Sequence, residues 1–208
     1  MPPLATRHLY LARHGEASPD ETALTDDGQR QAVLLGDRLR RVPLSVIRHG
    51  PLPRAEATAR LIGGRRDDAV PLEVSERAGD YVPYVAQRHE LPPESADMFL
   101  DRLADLSPEE RADGPALARR ALAEFSGPVL ADEPRHELVV THAFLVGWLV
   151  RAALDAPNWR WMGLHVANAA LTVIRYAPGR PASVAQFNDM AHLPADLRWT
   201  GFPSDFRV

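Results

Sequence analysis

The chain has 208 residues, 45% of them hydrophobic and 25% charged, with a formal net charge of −4. That composition suits one ordinary globular domain that buries its core without staples, and the mild acidity excludes a broad basic nucleic-acid footprint. With no cysteine there are no disulfides, thiolate metal sites or cysteine nucleophile.

The first ten residues, M-P-P-L-A-T-R-H-L-Y, lack the basic start and long apolar stretch of a secretory signal. The apolar run from Ala143 to Val150 is too short to span a bilayer. The expected location is therefore the cytoplasm, with neither a membrane nor a nucleic acid as partner. Residues 8–12 (H-L-Y-L-A) predict a buried strand, which runs directly into Arg13-His14-Gly15-Glu16. Thr25 is a good helix N-cap, and Val33, Leu34 and Leu39 follow at helical spacing. Leu44 to Ile47 predicts a second strand. Pro51-Leu52-Pro53 breaks the chain, Arg54 to Ile62 predicts a helix ended by Gly63-Gly64, and Val70 to Val74 predicts a third strand. Residues 80–135, rich in Pro, Glu, Asp and Arg, read as a helical excursion with pieces at 94–106, 108–111 and 115–125. Leu138 to Val140 predicts a strand, Phe144 to Leu154 an apolar helix, and Ala170 to Tyr176 and Ser183 to Phe187 the last strands, before an irregular tail. Strands alternating with helices argue for a layered α/β fold with a largely parallel sheet.

Several chemistry-bearing side chains fall at or just past predicted strand ends, where open parallel sheets build their binding sites. Arg13 and His14 follow the first strand. Arg54 opens the helix after the second, where its fork of donors and the helix N-terminus both suit an anion. His142 follows the Leu138–Val140 strand. Glu76 and Asp80 follow the third. Each alone also reads as an ordinary turn or core residue. Together, two arginines and two histidines would repel a cation and suit a dianionic phosphoryl group. A neutral His14 can attack phosphorus. Arg13, Arg54 and a cationic His142 can neutralise the equatorial oxygens, and a nearby acid can protonate the leaving oxygen and then deprotonate water. Attack by a neutral imidazole beside a cationic one predicts a rate that passes through a maximum with pH.

At this point the sequence resembles the histidine phosphatase superfamily, the phosphoglycerate-mutase-like fold. The resemblance rests on Arg13-His14-Gly15, on Leu24-Thr25-Asp26-Asp27-Gly28-Gln29-Arg30-Gln31-Ala32, on Pro51-Leu52-Pro53-Arg54-Ala55-Glu56-Ala57-Thr58-Ala59 and on Val139-Val140-Thr141-His142. Asn168-Ala169-Ala170-Leu171-Thr172 and Asn188-Asp189-Met190-Ala191-His192-Leu193 extend it toward the tail. It implies a three-layer α/β/α sandwich with a mostly parallel central sheet, in a single domain over 1–208 with a helical lid insertion near 80–135. It also implies a phosphohistidine on His14, a phosphate pocket of Arg13, Arg54, His142, Thr25 and the Ala143 N–H, and neither metal nor organic cofactor. Three departures stand out. His49-Gly50 replaces the usual small hydroxylated pair, so His49 either approaches the pocket or packs beside it. Ala143 replaces the usual glycine. The acid is Glu76 or Asp80, because the family's spacing to the following glycine is not kept. Glu16 reads as a solvated loop residue that could also border the pocket, while Arg77, Tyr81, Tyr84 and Arg88 sit where they could face the pocket or equally lie on the surface.

The expected activity is hydrolysis of a small-molecule phosphate monoester. The alternatives are a phosphomutase, whose family members are longer, and a catalytically weak protein that binds phosphorylated ligands. The sequence leaves the physiological substrate and the oligomeric state open, a homodimer included.

Overall fold

The computed structural model describes residues 3–207. Its centre is a sheet of six strands: β2 (Arg7–Arg13), β3 (Leu44–His49), β4 (Leu72–Val74), β6 (Arg135–Thr141), β7 (Leu171–Tyr176) and β8 (Ser183–Asp189), in the order β4-β3-β6-β2-β7-β8. Strands β4, β3, β6 and β2 pair in parallel, and β7 runs antiparallel to both neighbours. Five of the six strands therefore point the same way, so the sheet is mixed but mostly parallel. A two-stranded sheet of β1 (Leu4–Ala5) and β5 (Val129–Leu130), which the sequence pattern did not show, ties the start of the chain to the segment before β6.

The helices α1 (Asp26–Leu39), α2 (Pro53–Gly63), α3 (Ala96–Asp101), α4 (Pro108–Phe125) and α5 (Ala143–Ala153) cover the two faces. On one face Leu35, Leu39, Ala55, Ala59 and Ile62 pack on Ala12, Ile47, Leu138 and Val140. On the other, Leu9, Leu11 and Val139 meet Leu145, Leu149, Phe125 and Phe99. The alternation of Leu138, Val139 and Val140 between the two clusters is the strand period of two. Residues 80–125 thus share one buried cluster with the sheet and α5. No helix among the described residues is long and apolar enough to cross a membrane.

Three elements differ from the sequence reading for physical reasons. The third strand begins at Leu72 rather than Val70, because Pro71 has no N–H to donate; only its carbonyl pairs, accepting from Ile47 N at 2.9 Å. The helix expected over 94–106 stops at Asp101 and loosens into turns bonded from Leu103 N to Leu100 O and Ala104 N to Asp101 O. Pro108 disfavours helical geometry at Ser107, which instead caps α4 through Glu110 N. The two pieces expected at 108–111 and 115–125 are one helix that continues through Pro115. An interior proline costs about 3 kcal/mol. Here the cost is offset by a buried stripe, Gly114, Ala118, Ala121 and Phe125, at helical spacing.

Candidate active site

The parallel register assembles the site. Arg13 lies opposite Thr141 in the β2–β6 ladder, so the next residue on each strand, His14 and His142, leaves the sheet beside the other. Their ring centroids are 5.0 Å apart. Strand β3 pairs with β6 up to His49 and Val140, and the turn that follows it delivers Arg54 in the first turn of α2. Asp80 arrives from the segment after β4. Arg13, His14, Arg54, Asp80 and His142, together with Glu16, Ser18, Glu21, Ala143, Phe144, Asn168 and Gly201, line a cavity of about 390 Å³.

His14 is 6% exposed. Its Nδ1 lies 2.7 Å from the Gly15 carbonyl. A carbonyl can only accept, so Nδ1 carries the ring proton and Nε2 keeps its lone pair. That lone pair accepts from Arg54 Nε at 3.2 Å. The Arg54 guanidinium, itself buried, also donates to Asp80 Oδ2 at 2.8 Å and lies 3.3 Å from Glu21 Oε2. Arg13 Nη1 donates to the carbonyls of Val166 and Gly201 at 2.8 and 2.6 Å, and its buried Nε has no partner among the described residues. Burial lowers its pKa to about 10.

His142, 2% exposed, is the N-cap residue of α5. Among the described residues both of its ring nitrogens lack a hydrogen-bond partner. Nδ1 is 3.4 Å from Asp80 Oδ2, but that oxygen is already bonded to Arg54. Burial, then Arg54 and Arg13, bring the imidazole from its ordinary 6.5 to about 3. Burial first, and then the two guanidinium groups, thus disfavour the cationic His142 that the sequence suggested. Burial, then His142 and Arg13, likewise push His14 far below its ordinary value. Leaving buried donors unpaired costs about 1–3 kcal/mol each. Oxygens of a tetrahedral anion would satisfy the His142 and Arg13 donors, and the N-terminus of α5 at Ala143 adds its partial positive charge.

The loop carrying His14 is held from behind. Gly15 N donates to Thr58 Oγ1 at 3.0 Å, and Thr58 Oγ1 donates to Arg54 O. Asn168 Nδ2 donates to His14 O at 3.1 Å. Gln31 accepts from Glu16 N and donates to Leu197 O and Thr200 Oγ1, joining this loop, α1 and the tail. Gly15 and Gly28 pass so closely that a Cβ on Gly28 would lie 2.0 Å from Glu16 O, and one on Gly15 2.4 Å from Gly28 O. Gly201, at φ +61°, presses on Arg13: a Cβ there would lie 2.8 Å from the guanidinium.

Not every candidate joins the site. Glu76 starts a 3-10 turn and lines a separate surface depression with Arg48, Arg77 and Arg120. The turn directs it outward, and the cavity receives Asp80 instead. Thr25 caps α1 through Gly28 N at 2.9 Å and donates to Glu16 Oε2 at 3.0 Å, so it stands behind Glu16 rather than on the cavity wall. Of the two readings of Glu16, the structure shows the one on the cavity wall. His49 bonds the Gly50 carbonyl through Nδ1 at 2.8 Å and does not line the cavity. The sequence reading passed over Glu21, Phe144 and Gly201. Glu21 takes φ +59° in a turn that gives no periodic signal, and Gly201 comes back from 188 residues downstream of Arg13. Asn168 stood in a quoted motif without an assigned role. Among the described residues no cluster of three or more His, Asp or Glu side chains is placed to hold a metal ion.

The family model described as the histidine phosphatase superfamily (branch 1) matches residues 9–189. Over 196 residues the chain is 29% identical to "Serine/threonine-protein phosphatase Pgam5, mitochondrial" of Caenorhabditis elegans, covering 91% of this chain but only 65% of that relative's length. Over 207 residues it is 25% identical to "Probable phosphoglycerate mutase GpmB" of Citrobacter koseri, covering 90% of this chain and 95% of that one. Among solved structures, mycobacterial hydrolase 2 superposes with a TM-score of 0.64 at 25% identity, covering 92% of this chain and 94% of that chain. The alpha-ribazole phosphatase from Shigella flexneri does so with a TM-score of 0.62 at 20% identity, covering 88% and 96%, a likeness of fold.

Proposed function

The chain belongs to the histidine phosphatase superfamily, and from that premise we propose that it hydrolyses phosphate monoesters through a phosphohistidine on His14. The observation that carries this reading is the state of His14: a neutral ring with its proton committed to the Gly15 carbonyl and its Nε2 lone pair facing Arg54. As a phosphate dianion arrives, Arg54 Nε–H redirects its hydrogen bond from the His14 lone pair to a phosphate oxygen. Nε2 then attacks phosphorus and the bond to the ester oxygen breaks in line with the attack. Asp80, a carboxylate paired with Arg54 at rest, takes up one proton from solvent as the ester draws Arg54 away and passes it to the leaving oxygen; it is the carboxyl group within the cavity nearest to both Arg54 and His142. Arg13, Arg54, a neutral His142 and the Ala143 N–H face the three equatorial oxygens. In the second half, Asp80 takes a proton from water, water attacks phosphorus, and the P–N bond breaks to restore His14.

The Asp80 side chain is 37% exposed, so water reaches the group that would activate it. This favours hydrolysis over return of the phosphoryl group to a bound acceptor, the step a mutase needs. The names of the relatives, a protein phosphatase and a phosphoglycerate mutase, support phosphoryl transfer as the shared chemistry and leave the substrate to the walls around the phosphate. The test is a rapid alkaline quench during turnover of 4-nitrophenyl phosphate. A burst of nitrophenolate and an acid-labile phosphoryl group on His14 are expected. His14→Ala should stay folded and lose turnover; a folded variant that keeps most of its activity overturns the proposal.

A further inference from the structure

A second cavity, of about 290 Å³, opens off the first. The two share Arg13, Ala143, Phe144 and Gly201, so they form one continuous recess. Its walls are Val82, Leu103, Phe144, Trp161, Met162 and Leu164. Trp161 donates its indole N–H to Tyr84 O at 3.1 Å, which leaves only its apolar face for a guest. Phe144 meets Trp161 edge-on at 5.0 Å. Although a large apolar side chain, Phe144 is 44% exposed, at the junction of the two cavities. The volume is near the lower end of ligand pockets, roughly 300–1,000 Å³, which suits one ring rather than a nucleotide or a peptide. A polyhydroxylated group would lose its bonds to water here and find few partners in return. The lining also holds the cationic Arg102 and the imidazole of His165, whose charged form is disfavoured by burial and then by Arg102. His165 is held between Phe202 and Phe206, whereas Arg102 is exposed at the end of α3.

We propose that this recess selects the substrate as the phosphate monoester of a single-ring aromatic alcohol, with a carboxylate on the ring directed to Arg102. The proposal rests on the phosphatase reading above and specifies the ester's organic part. Phosphate enters the first cavity, the ring lies against Phe144 and Trp161, and the guanidinium of Arg102 meets the anionic end.

The test compares kcat/KM for benzyl, 4-carboxybenzyl and 2-hydroxyethyl phosphate, whose leaving alcohols are all alkoxides, with 4-nitrophenyl phosphate as a reference for turnover. Benzyl phosphate should exceed 2-hydroxyethyl phosphate by about tenfold or more, since apolar pockets discriminate on this scale. The carboxylate should add about threefold, the range of an exposed ion pair. Arg102→Glu should bring the ratio of 4-carboxybenzyl to benzyl phosphate below one, and Arg102→Lys should keep it above one. Phe144→Ala should lower the ratio of benzyl to hydroxyethyl phosphate. Both positions are exposed, so the variants fold. Turnover of the reference and of hydroxyethyl phosphate without a benzyl preference overturns this inference alone. A carboxylate ratio that Arg102→Glu leaves unchanged overturns the assignment to Arg102. Failure to turn over any of the four esters overturns the phosphatase reading, and this inference with it.

Discussion

Replacing Arg54 with lysine keeps a positive charge in the cavity and removes the fork. In the structure three different nitrogens of Arg54 serve three partners: Nε for His14 Nε2 at 3.2 Å, Nη2 for Asp80 Oδ2 at 2.8 Å, and Nη1 near Glu21 Oε2 at 3.3 Å. An ammonium group has one nitrogen on a flexible stem and cannot occupy three directions in a plane. A lysine drawn to the Asp80 carboxylate leaves the His14 lone pair unheld and one phosphate oxygen without its donor. Loss of one donor to a developing oxyanion costs about 10²–10³ in kcat, or about 2.7–4 kcal/mol. KM should change less, because the retained charge still attracts the dianion. Steady-state kinetics with 4-nitrophenyl phosphate and rapid-quench measurement of phosphoenzyme formation, on protein with the parent's circular dichroism, read this out. A kcat within about threefold of the parent would refute the bridging role of Arg54 and the reasoning from its geometry.

The two candidate acids separate by leaving group. Asp80→Asn should lower turnover of alkyl phosphates by about 10²–10⁴ and of 4-nitrophenyl phosphate far less, because nitrophenolate needs no proton to leave; Glu76→Gln should change neither, and the opposite pattern in the two variants would reverse the assignment. Gly28→Ala places a methyl group 2.0 Å from Glu16 O, so the loop behind His14 must shift. About 1–3 kcal/mol of stability and most of the activity should be lost, read from denaturant midpoints and kinetics; a variant matching the parent in both would contradict the close contact. For pH, the folded pKa of His142, about 3, lies below the unfolded value near 6.5, so the unfolded chain takes up the proton first. The group's contribution is complete above about pH 6.5 and is lost as pH falls toward 3. At pH 5 the loss is about 2 kcal/mol, from roughly 1.5 pH units at 1.36 kcal/mol each. Urea unfolding at pH 7.5 and pH 5 should show it, and His142→Gln should shrink the difference; an undiminished difference would place the titration elsewhere.

The residues that meet in the cavity were legible because their motifs are short and local. Arg13 and His14 are adjacent, Arg54 follows a proline-marked break, and His142 follows an apolar run. Strands and helices announced themselves by their periods of 2 and 3.6, down to the N-cap at Thr25. Where the reading slipped, competing local signals were decided by burial. Pro115 spoke for a break, yet the stripe from Gly114 to Phe125 kept α4 whole. Glu76 and Asp80 are both acids just past β4, and only the course of the 3-10 turn between them separates their directions. Thr25 looked like a pocket residue because it lies in the same motif as Gly28 and Gln31, whereas that motif acts as a buckle for the loop behind His14.

The sequence by itself determined which groups are available: two imidazoles, two guanidiniums and an acid at the ends of strands, on a chain able to form alternating α and β elements. Only the tertiary structure decided that burial disfavours a charged His142, that Asp80 rather than Glu76 enters the cavity, and that Phe144, Trp161 and Arg102 shape a second recess beside it. The reason is that charge state and pocket shape depend on distances between residues far apart along the chain. Those distances follow from strand register, from the turn between Glu76 and Asp80, and from the return of Gly201 onto Arg13, none of which is a property of a short segment.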